Sequence, residues 1–401
     1  MSLRSSRLTA VALVTLATFT DIVAYSIAIP VLPDFSRRLG ASPTTIGILF
    51  GSFGITLLTV SIPMGAVSDR LGRRGPMIGG LVALAAATLL FAFATSLPWL
   101  FAARLVQGAA DAITWVVGFA FIADLYAVEE RGRMTGFVMS GTTLAVMIGP
   151  TIGGWLYEIG GLAVPFLAVT ALAAAGAIAF AWIDPPRNRA PREIVPIGAV
   201  VRTPAIAACA VTVVAASGTI SMMEPVLALH LQSLGIGPGR IGTLFGIGAI
   251  ASTIAHPFIG RLADRFGAGR LTLAGLIASA VSVTLVSQTW SFQSAILFFM
   301  LGAVTSALMI TPSLTFMGEA TSAAGISSFG VAYGLYNMAW GVGLLSGPSL
   351  GGFLYDRMGF SRLALVWAPG LITVTVLLAR VQSRNSPSLE QKERLWPTDG
   401  L

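Results

Sequence analysis

The sequence predicts an all-α integral membrane protein of twelve transmembrane helices, written as two halves of six, and three observations predict it. First, apolar residues make up 55% of the chain and charged residues 10%, against about 25% charged in soluble domains. Its solvent is therefore lipid. Second, the chain divides into apolar runs of the length that spans about 30 Å of hydrocarbon, roughly 20 residues each. Third, the chain repeats itself. The stretch Gly65 to Arg74 returns at Gly260 to Gly269, so that Gly65, Asp69, Arg70 and Gly72 reappear as Gly260, Asp264, Arg265 and Gly267. Ile46 to Gly51 is echoed by Ile241 to Gly246 at the same offset, and the Gly149 to Glu158 string returns from Gly347 to Asp356. Such internal repeats mark a duplicated membrane architecture.

The runs, bounded by charges, Gly or Pro, fall in order over 8–33, 44–67, 76–96, 98–122, 134–157 and 163–183 in the first half. The second half gives 204–232, 239–262, 271–290, 292–317, 326–354 and 361–381. The first run is too long for a signal-peptide core and lacks a small-residue cleavage site, so it reads as a membrane helix. The runs are continuous in Leu, Ala, Val and Ile. A β-barrel would instead show ten-residue segments of alternating polarity.

Between the sixth and seventh runs lies the longest polar stretch, from Asp184 to Pro204, with Arg187, Arg189, Arg192 and Arg202. The expected organisation is an N-terminal bundle over 1–183, a cytoplasmic linker over 184–203, a C-terminal bundle over 204–381 and a polar cytoplasmic tail over 382–401. Placing both termini inside puts 18 of the 24 Lys and Arg residues on the inner side and five outside (Arg37, Arg38, Arg240, Arg357 and Arg362), as cytoplasmic loops require. Arg104 is left within the membrane. The net charge of +7 then follows from topology and an anionic inner leaflet, with the lipid bilayer as partner and no nucleic acid required. The lone Cys209 reads as core. It excludes a disulfide within the chain and argues against a thiolate metal site.

Charges inside the runs are the candidate functional groups. Asp21 lies near the middle of the first helix, where an acidic residue costs about 2.5–3.5 kcal/mol, so it is expected to face a cavity and to have a task. A carboxylate there binds either a proton or a cation, and that competition is antiport chemistry. Glu224, in the seventh helix before Pro225, aligns with Ile29 when the halves are matched. It is expected about 12 Å outward of Asp21, where it would serve the proton, the substrate or an outer gate. Arg104 and Gln107 share one face of the fourth helix, with Asp111 further inward; Arg104 and Asp111 are expected to tune proton coupling. Tyr25, one turn from Asp21, and Tyr333, Tyr336, Asn337 and Trp340 at helical spacing complete the expected substrate pocket, since aromatic faces attract organic cations.

The charged loop from Gly65 to Arg74 is expected to be a conformational latch. Its glycines permit close approach and turning, while Asp69 can pair with Arg70, Arg73 or a neighbouring helix end. The Gly-x-x-x-Asp-Arg-x-Gly-Arg-Arg run resembles the signature loop of the major facilitator superfamily, whose fold is two six-helix bundles around a central cavity. Gly149-Pro150 and Gly153-Gly154 resemble the helix-five motif of its drug:proton antiporters, and Arg104 to Gly108 resembles their helix-four motif. A narrower resemblance is to the vesicular monoamine and acetylcholine transporters, carried by Asp21, Glu224-Pro225, Gly132 and the string Gly149 to Glu158. Phe53 stands where that family has a lysine and Asn337 where it has an aspartate. The resemblance implies gating roles for Gly65, Asp69, Arg70, Gly72, Arg73, Arg74, Gly149, Pro150, Gly153, Gly154, Asp264 and Arg265.

The reading is a proton-coupled antiporter that expels organic cations, amines or amphipathic drugs, acting as a monomer in a cell membrane, most naturally the bacterial cytoplasmic membrane. No nucleotide-binding loop, catalytic triad or metal cluster appears in the sequence, so no cofactor or metal is expected and primary pumps and most enzymes are set aside. Two alternatives stay open: export of a neutral or anionic metabolite, and a lipid-handling or sensor protein without proton coupling.

Overall fold

The computed structural model describes residues 7–183, 203–323 and 329–385. Of the expected linker only Thr203 is described, and of the tail only the backbone as far as Asn385. The first half forms α1 (Arg7–Arg38), α2 (Pro43–Leu71), α3 (Arg74–Ala92), α4 (Leu97–Leu125), α5 (Val128–Gly160) and α6 (Ala163–Ala181). The second forms α7 (Pro204–Ser233), α8 (Pro238–Phe266), α9 (Ala268–Val286), α10 (Phe292–Ala323) and α11 (Phe329–Asn385). All eleven contain segments long and apolar enough to cross a bilayer.

The expected eleventh and twelfth runs are joined without a loop. Gly359 alone, at φ 76°, divides α11 into two limbs. It is the repeat counterpart of Gly161, at φ 69°, which separates α5 from α6. A left-handed conformation is open to glycine at little cost, so one residue suffices to turn the chain in both halves. Helix starts repeat likewise. α2 and α8 open on Pro43 and Pro238, where a missing N–H leaves no helix bond unmade, and Ser42 Oγ accepts the N–H of Thr45 at 3.2 Å. Inside the helices many hydroxyls return a hydrogen bond to the preceding turn, as Thr18 does to Val14 O and Thr212 to Ala208 O. That satisfies the polar group within apolar surroundings.

The two halves meet on their outer side. One apolar core cluster contains both Ala24 to Leu32 of α1 and Met222 to Leu231 of α7, whereas the inner ends have separate clusters, around Val14, Met77 and Phe121 in one half and Cys209, Met317 and Tyr336 in the other. Hydrogen bonds that join the halves, such as Tyr25 to Glu224 and Thr44 to Asp356, lie at or outward of Tyr25. Inward of this seal α5 exposes Phe137 and Leu144, and α8 exposes Ile254 and Phe258. The structure is thus closed outside, with the halves parting toward the inner face.

Candidate functional site

The outer seal is built from the repeated glycine motifs. In Gly149-Pro150-Thr-Ile-Gly153-Gly154, the alternate faces of one helix do different work. Gly149 and Gly153 meet Ser26 and Ile27 of α1 in their own half, while the Pro150 carbonyl and Gly154 meet Gly242 and Pro238 of α8 in the other. A Cβ on Gly242 would strike the Pro150 carbonyl, and one on Gly47 would strike that of Pro348, its repeat counterpart. Each crossing ends in a carboxylate on the first turn of the opposing helix. Glu158 Oε1 accepts the N–H of Gly239 at 2.9 Å, and Asp356 Oδ2 accepts the hydroxyl of Thr44 at 2.6 Å. Helix N-termini carry unpaired donors and partial positive charge, so Glu158 caps α8 across the seal, while Asp356 places a negative charge at the start of α2, whose own cap is Ser42. On the outer surface Asp34 accepts from Tyr157 at 2.7 Å and pairs with Arg38 at 2.8 Å.

The loop of the first copy is tied inside its own half. Arg73 pairs with Asp69 at 2.6 Å and Asp124 at 2.7 Å, and donates to Ser68 at 2.6 Å. Burial disfavours the Arg73 cation, but the hydrogen bonds to Asp124 and Asp69 outweigh it, so its pKa lies above the ordinary arginine value. Arg74 donates to the Ala181 carbonyl at the end of α6, Arg70 is exposed, and Gly72 turns the chain at φ 84°. The second copy differs. Asp264 and Arg265 are exposed, and among the described residues neither forms an ion pair; Arg265 lies over the ring of Phe266 at 5.4 Å. The reason is one substitution: Ala268 occupies the repeat position of Arg73, leaving no guanidinium to organise the cluster.

Deep in the first half, Asp21 is 1% exposed and does not open onto a cavity as expected. It is turned onto α4, where the Trp115 indole N–H at 3.1 Å and the Thr114 hydroxyl at 3.3 Å both reach its Oδ2. Asp111, one turn before Trp115 on the same helix, is also buried, at 8% exposed. Arg104 is fully buried in an aromatic box, its guanidinium carbon 4.6, 5.3 and 5.6 Å from the ring centroids of Phe50, Tyr25 and Phe53. One of its nitrogens donates to Gln107 at 2.8 Å, while Nε, Nη2 and the Gln107 amide nitrogen have no partner. Glu224 of α7 enters here, accepting the Tyr25 hydroxyl at 2.6 Å. The separation in depth expected between the two carboxylates is spanned by Tyr25.

Of the expected aromatic residues of α11, Tyr336 and Trp340 do not join this site. Tyr336 is buried among Cys209, Val213 and Met317 with its hydroxyl 3.1 Å from Ser313, and Trp340 stacks on it at 6.0 Å. Asn337 is exposed on a different face, because residues one apart in a helix point about 100° from each other. The side chain of Tyr333 lies outside the described residues. Trp115, Thr114, Phe50, Asp124 and the pair Glu158 and Asp356 were not anticipated. Trp115 stands one turn beyond Asp111, so helical periodicity alone would have found it.

The arrangement holds three carboxyls in the described membrane interior, two on the facing helices α1 and α4 and one beside a buried cation and aromatic rings. Comparisons with known proteins agree with the architecture. A family model described as Major Facilitator Superfamily matches residues 14–230 and 209–398. The synaptic vesicular amine transporter of Rattus norvegicus is 27% identical over 369 residues, which cover 90% of this chain and 70% of that one. The chromaffin granule amine transporter of Homo sapiens is 26% identical over 365 residues, with 89% and 68% covered. A solved structure of a bacterial homologue of the human lysosomal transporter Spinster, inward-facing and unoccupied, superposes with a TM-score of 0.73 at 16% identity, over 95% of this chain and 96% of that one. At that identity the likeness is one of fold.

Proposed function

The chain belongs to the major facilitator superfamily, a multi-pass membrane transporter and not an enzyme, and on that premise we propose that it is a proton-coupled antiporter. Its substrates are organic cations, amines or amphipathic drugs, expelled by alternating access across the cytoplasmic membrane of a bacterium. The observation that carries this reading is Glu224 at the meeting of the two halves, hydrogen-bonded by Tyr25 and neighboured by the aromatic box of Phe50 and Phe53. An acidic group beside aromatic faces suits an ammonium, and its bond across the halves links occupancy of the site to their separation. Arg104 is the resident cation of the box, and a substrate cation takes over its charge balance with Glu224. The similarity to vesicular amine transporters supports an amine as the substrate class.

Asp69, Arg73 and Asp124 act as the inner-face brace, and the Gly149–Gly154 and Gly347–Gly352 crossings as the outer gate. A panel of cationic, neutral and anionic compounds, tested in proteoliposomes with an imposed pH gradient, decides the matter. Accumulation of cations alone against the gradient is expected. A second reading, export of an anion, draws on the unpartnered donors of Arg104 and Gln107; anion accumulation in the same panel would establish it instead.

A further inference from the structure

We propose that the cleft over the outer seal, walled by the end of α1 and the α7–α8 turn, is a regulatory site for a phosphate group presented at the outer face. The cleft measures about 520 Å³ and is lined by Asp34, Arg37 and Arg38 on one side and by Gln232, Gly237 and Pro238 on the other. A recess of about 390 Å³ adjoins it, shares Arg38 and Pro238, and reaches Tyr157 and Glu158. The acids on these walls are already engaged. Asp34 binds Arg38 and the Tyr157 hydroxyl, and Glu158 accepts the Gly239 N–H. Arg37 is exposed and, among the described residues, has no ion pair or hydrogen bond. Two arginines against one aspartate leave the cleft cationic. On the opposite wall both polar atoms of the Gln232 amide are buried without a partner, and polar groups are seldom left so.

The repeat separates these charges from the frame. Shifted by 195 residues, Asp34, Arg37 and Arg38 correspond to Leu229, Gln232 and Ser233, which lead into the same glycine turn, at Gly235 (φ 76°) as at Gly40 (φ 80°). The second half thus ends this helix without a charge. Outer loops are also poor in Lys and Arg, so two neighbouring arginines there call for a partner of opposite sign. Guanidinium forks match phosphate oxygens, and two on successive residues can take different oxygens of one tetrahedral group. The cleft is roomier than a single ion, so a phosphate ester fits with its phosphate. Arg37 and its counterpart Gln232 line the same cleft, and equivalent residues of two halves meet only near the axis that relates them. The site therefore sits astride both halves. A ligand shifts an equilibrium only by preferring one state, and here the two walls grip the anion together only while the outer side is closed. Occupancy holds that state and slows outer opening, whatever substrate is carried.

The test uses the full chain in phosphatidylcholine nanodiscs, spin-labelled at Leu39→Cys and Leu234→Cys, equivalent residues of the two turns, with the native Cys209 buried. Distances are read by double electron–electron resonance. Inorganic phosphate is expected to deplete the long-distance, outer-open population, and sodium chloride at matched ionic strength to leave it unchanged. Arg37→Gln copies the residue that the second half carries, so it should fold. In it the phosphate needed for half the effect should rise by about tenfold or more, the worth of a charge-assisted hydrogen bond, while the phosphate-free distances stay as they were. Calorimetry of phosphate binding to the unlabelled chain should give the same ratio, independently of the resting distances, and Arg37→Lys should recover part of it. A second arm replaces free phosphate by discs containing phosphatidylglycerol. Depletion there that needs Arg37 assigns the site to a lipid headgroup; depletion by free phosphate alone assigns it to a soluble phosphate. The proposal is overturned by the absence of binding and of depletion in both arms, by equal effects in Arg37→Gln, or by a chloride effect of the same size.

Discussion

The two carboxylates that cross the outer seal, Glu158 and Asp356, make a quantitative test of how that seal is held. Glu158→Ala removes the acceptor of the Gly239 N–H, and Asp356→Ala removes the acceptor of the Thr44 hydroxyl. Loss of an N-terminal cap, as at Glu158, costs about 0.5–2 kcal/mol, and an exposed anion at a helix start, as at Asp356, contributes about 0.3–1 kcal/mol. Both acids are exposed at the rim, so about 0.5–1 kcal/mol each is the appropriate share. The two acids belong to different crossings with no shared partner, so their effects should add. Together they amount to about 1–2 kcal/mol, a shift of about 5- to 30-fold from the outer-closed toward the outer-open state. Spin labels on Arg37→Cys and Leu234→Cys, at the outer ends of α1 and α7, report the opening by double electron–electron resonance, with the native Cys209 buried. Each single variant should enlarge the long-distance population and the double variant should multiply the two, the effect shrinking at high salt. A double variant whose distances match the unsubstituted chain would refute the reasoning, and so would one single variant carrying the whole effect.

Other perturbations address the remaining parts. Tyr25→Phe removes a hydrogen bond to a carboxylate worth about 1.5–3 kcal/mol and should open the outer side in the same label experiment while weakening ethidium binding; unchanged distances would place that bond outside the gate. Gly242→Leu puts a side chain into the Pro150 carbonyl and should abolish outer closure, read as permanent outer labelling of a cysteine at Ser349. Asp69→Asn leaves the membrane site untouched but weakens the Arg73 cluster, so transport should slow with affinity intact; a changed affinity would contradict that division. Arg104→Phe should fold at least as stably as the wild type in a thermal melt and lose transport, because Phe299 already fills the equivalent position in the second half; a large drop in melting temperature would show that Arg104 is needed for folding.

Much of this was legible in the sequence. The apolar runs marked the crossings, and the offsets of 195 and 198 residues gave the repeat, hence which helix of one half corresponds to which of the other. What an offset does not contain is contact between halves. Gly47 and Gly242 were visible as equivalents, but that each lies on the proline carbonyl of the opposite half follows only from the folded crossing. Side-chain depth was similarly hidden. Arg104 and Asp111 share a face, seven residues apart, and the sequence could not say that α1 meets this helix through Tyr25 at Arg104 and through Asp21 at Thr114 and Trp115. Tyr336 and Trp340 kept their helical spacing, but spacing is the same for a pocket and a core, and in this helix it served the core.

The repeat also supplies an internal control on which polar groups the fold requires. Shifting by 195 residues, Asp21 corresponds to Ala216, Tyr25 to Ile220, Arg104 to Phe299, Asp111 to Ser306 and Trp115 to Ile310. Where Arg104 lies over Phe50 at 4.6 Å, Phe299 packs on Phe245, the counterpart of Phe50, at 4.9 Å. The second half thus reaches the same helix packing with an uncharged side chain in place of each buried charge. Since a charge in the membrane interior costs several kcal/mol even when partnered, a first half built only to fold would have no reason to keep Asp21, Asp111 and Arg104. The same comparison holds in reverse for Glu224, whose counterpart is Ile29, so the one interior carboxylate of the second half is also dispensable to the scaffold. The polar groups are an addition to a symmetric frame. They lie almost wholly on one side of it, so a rocking motion that treats the halves alike moves Asp21 and Asp111 with the first half and Glu224 with the second. The Tyr25–Glu224 bond is where those two motions must separate.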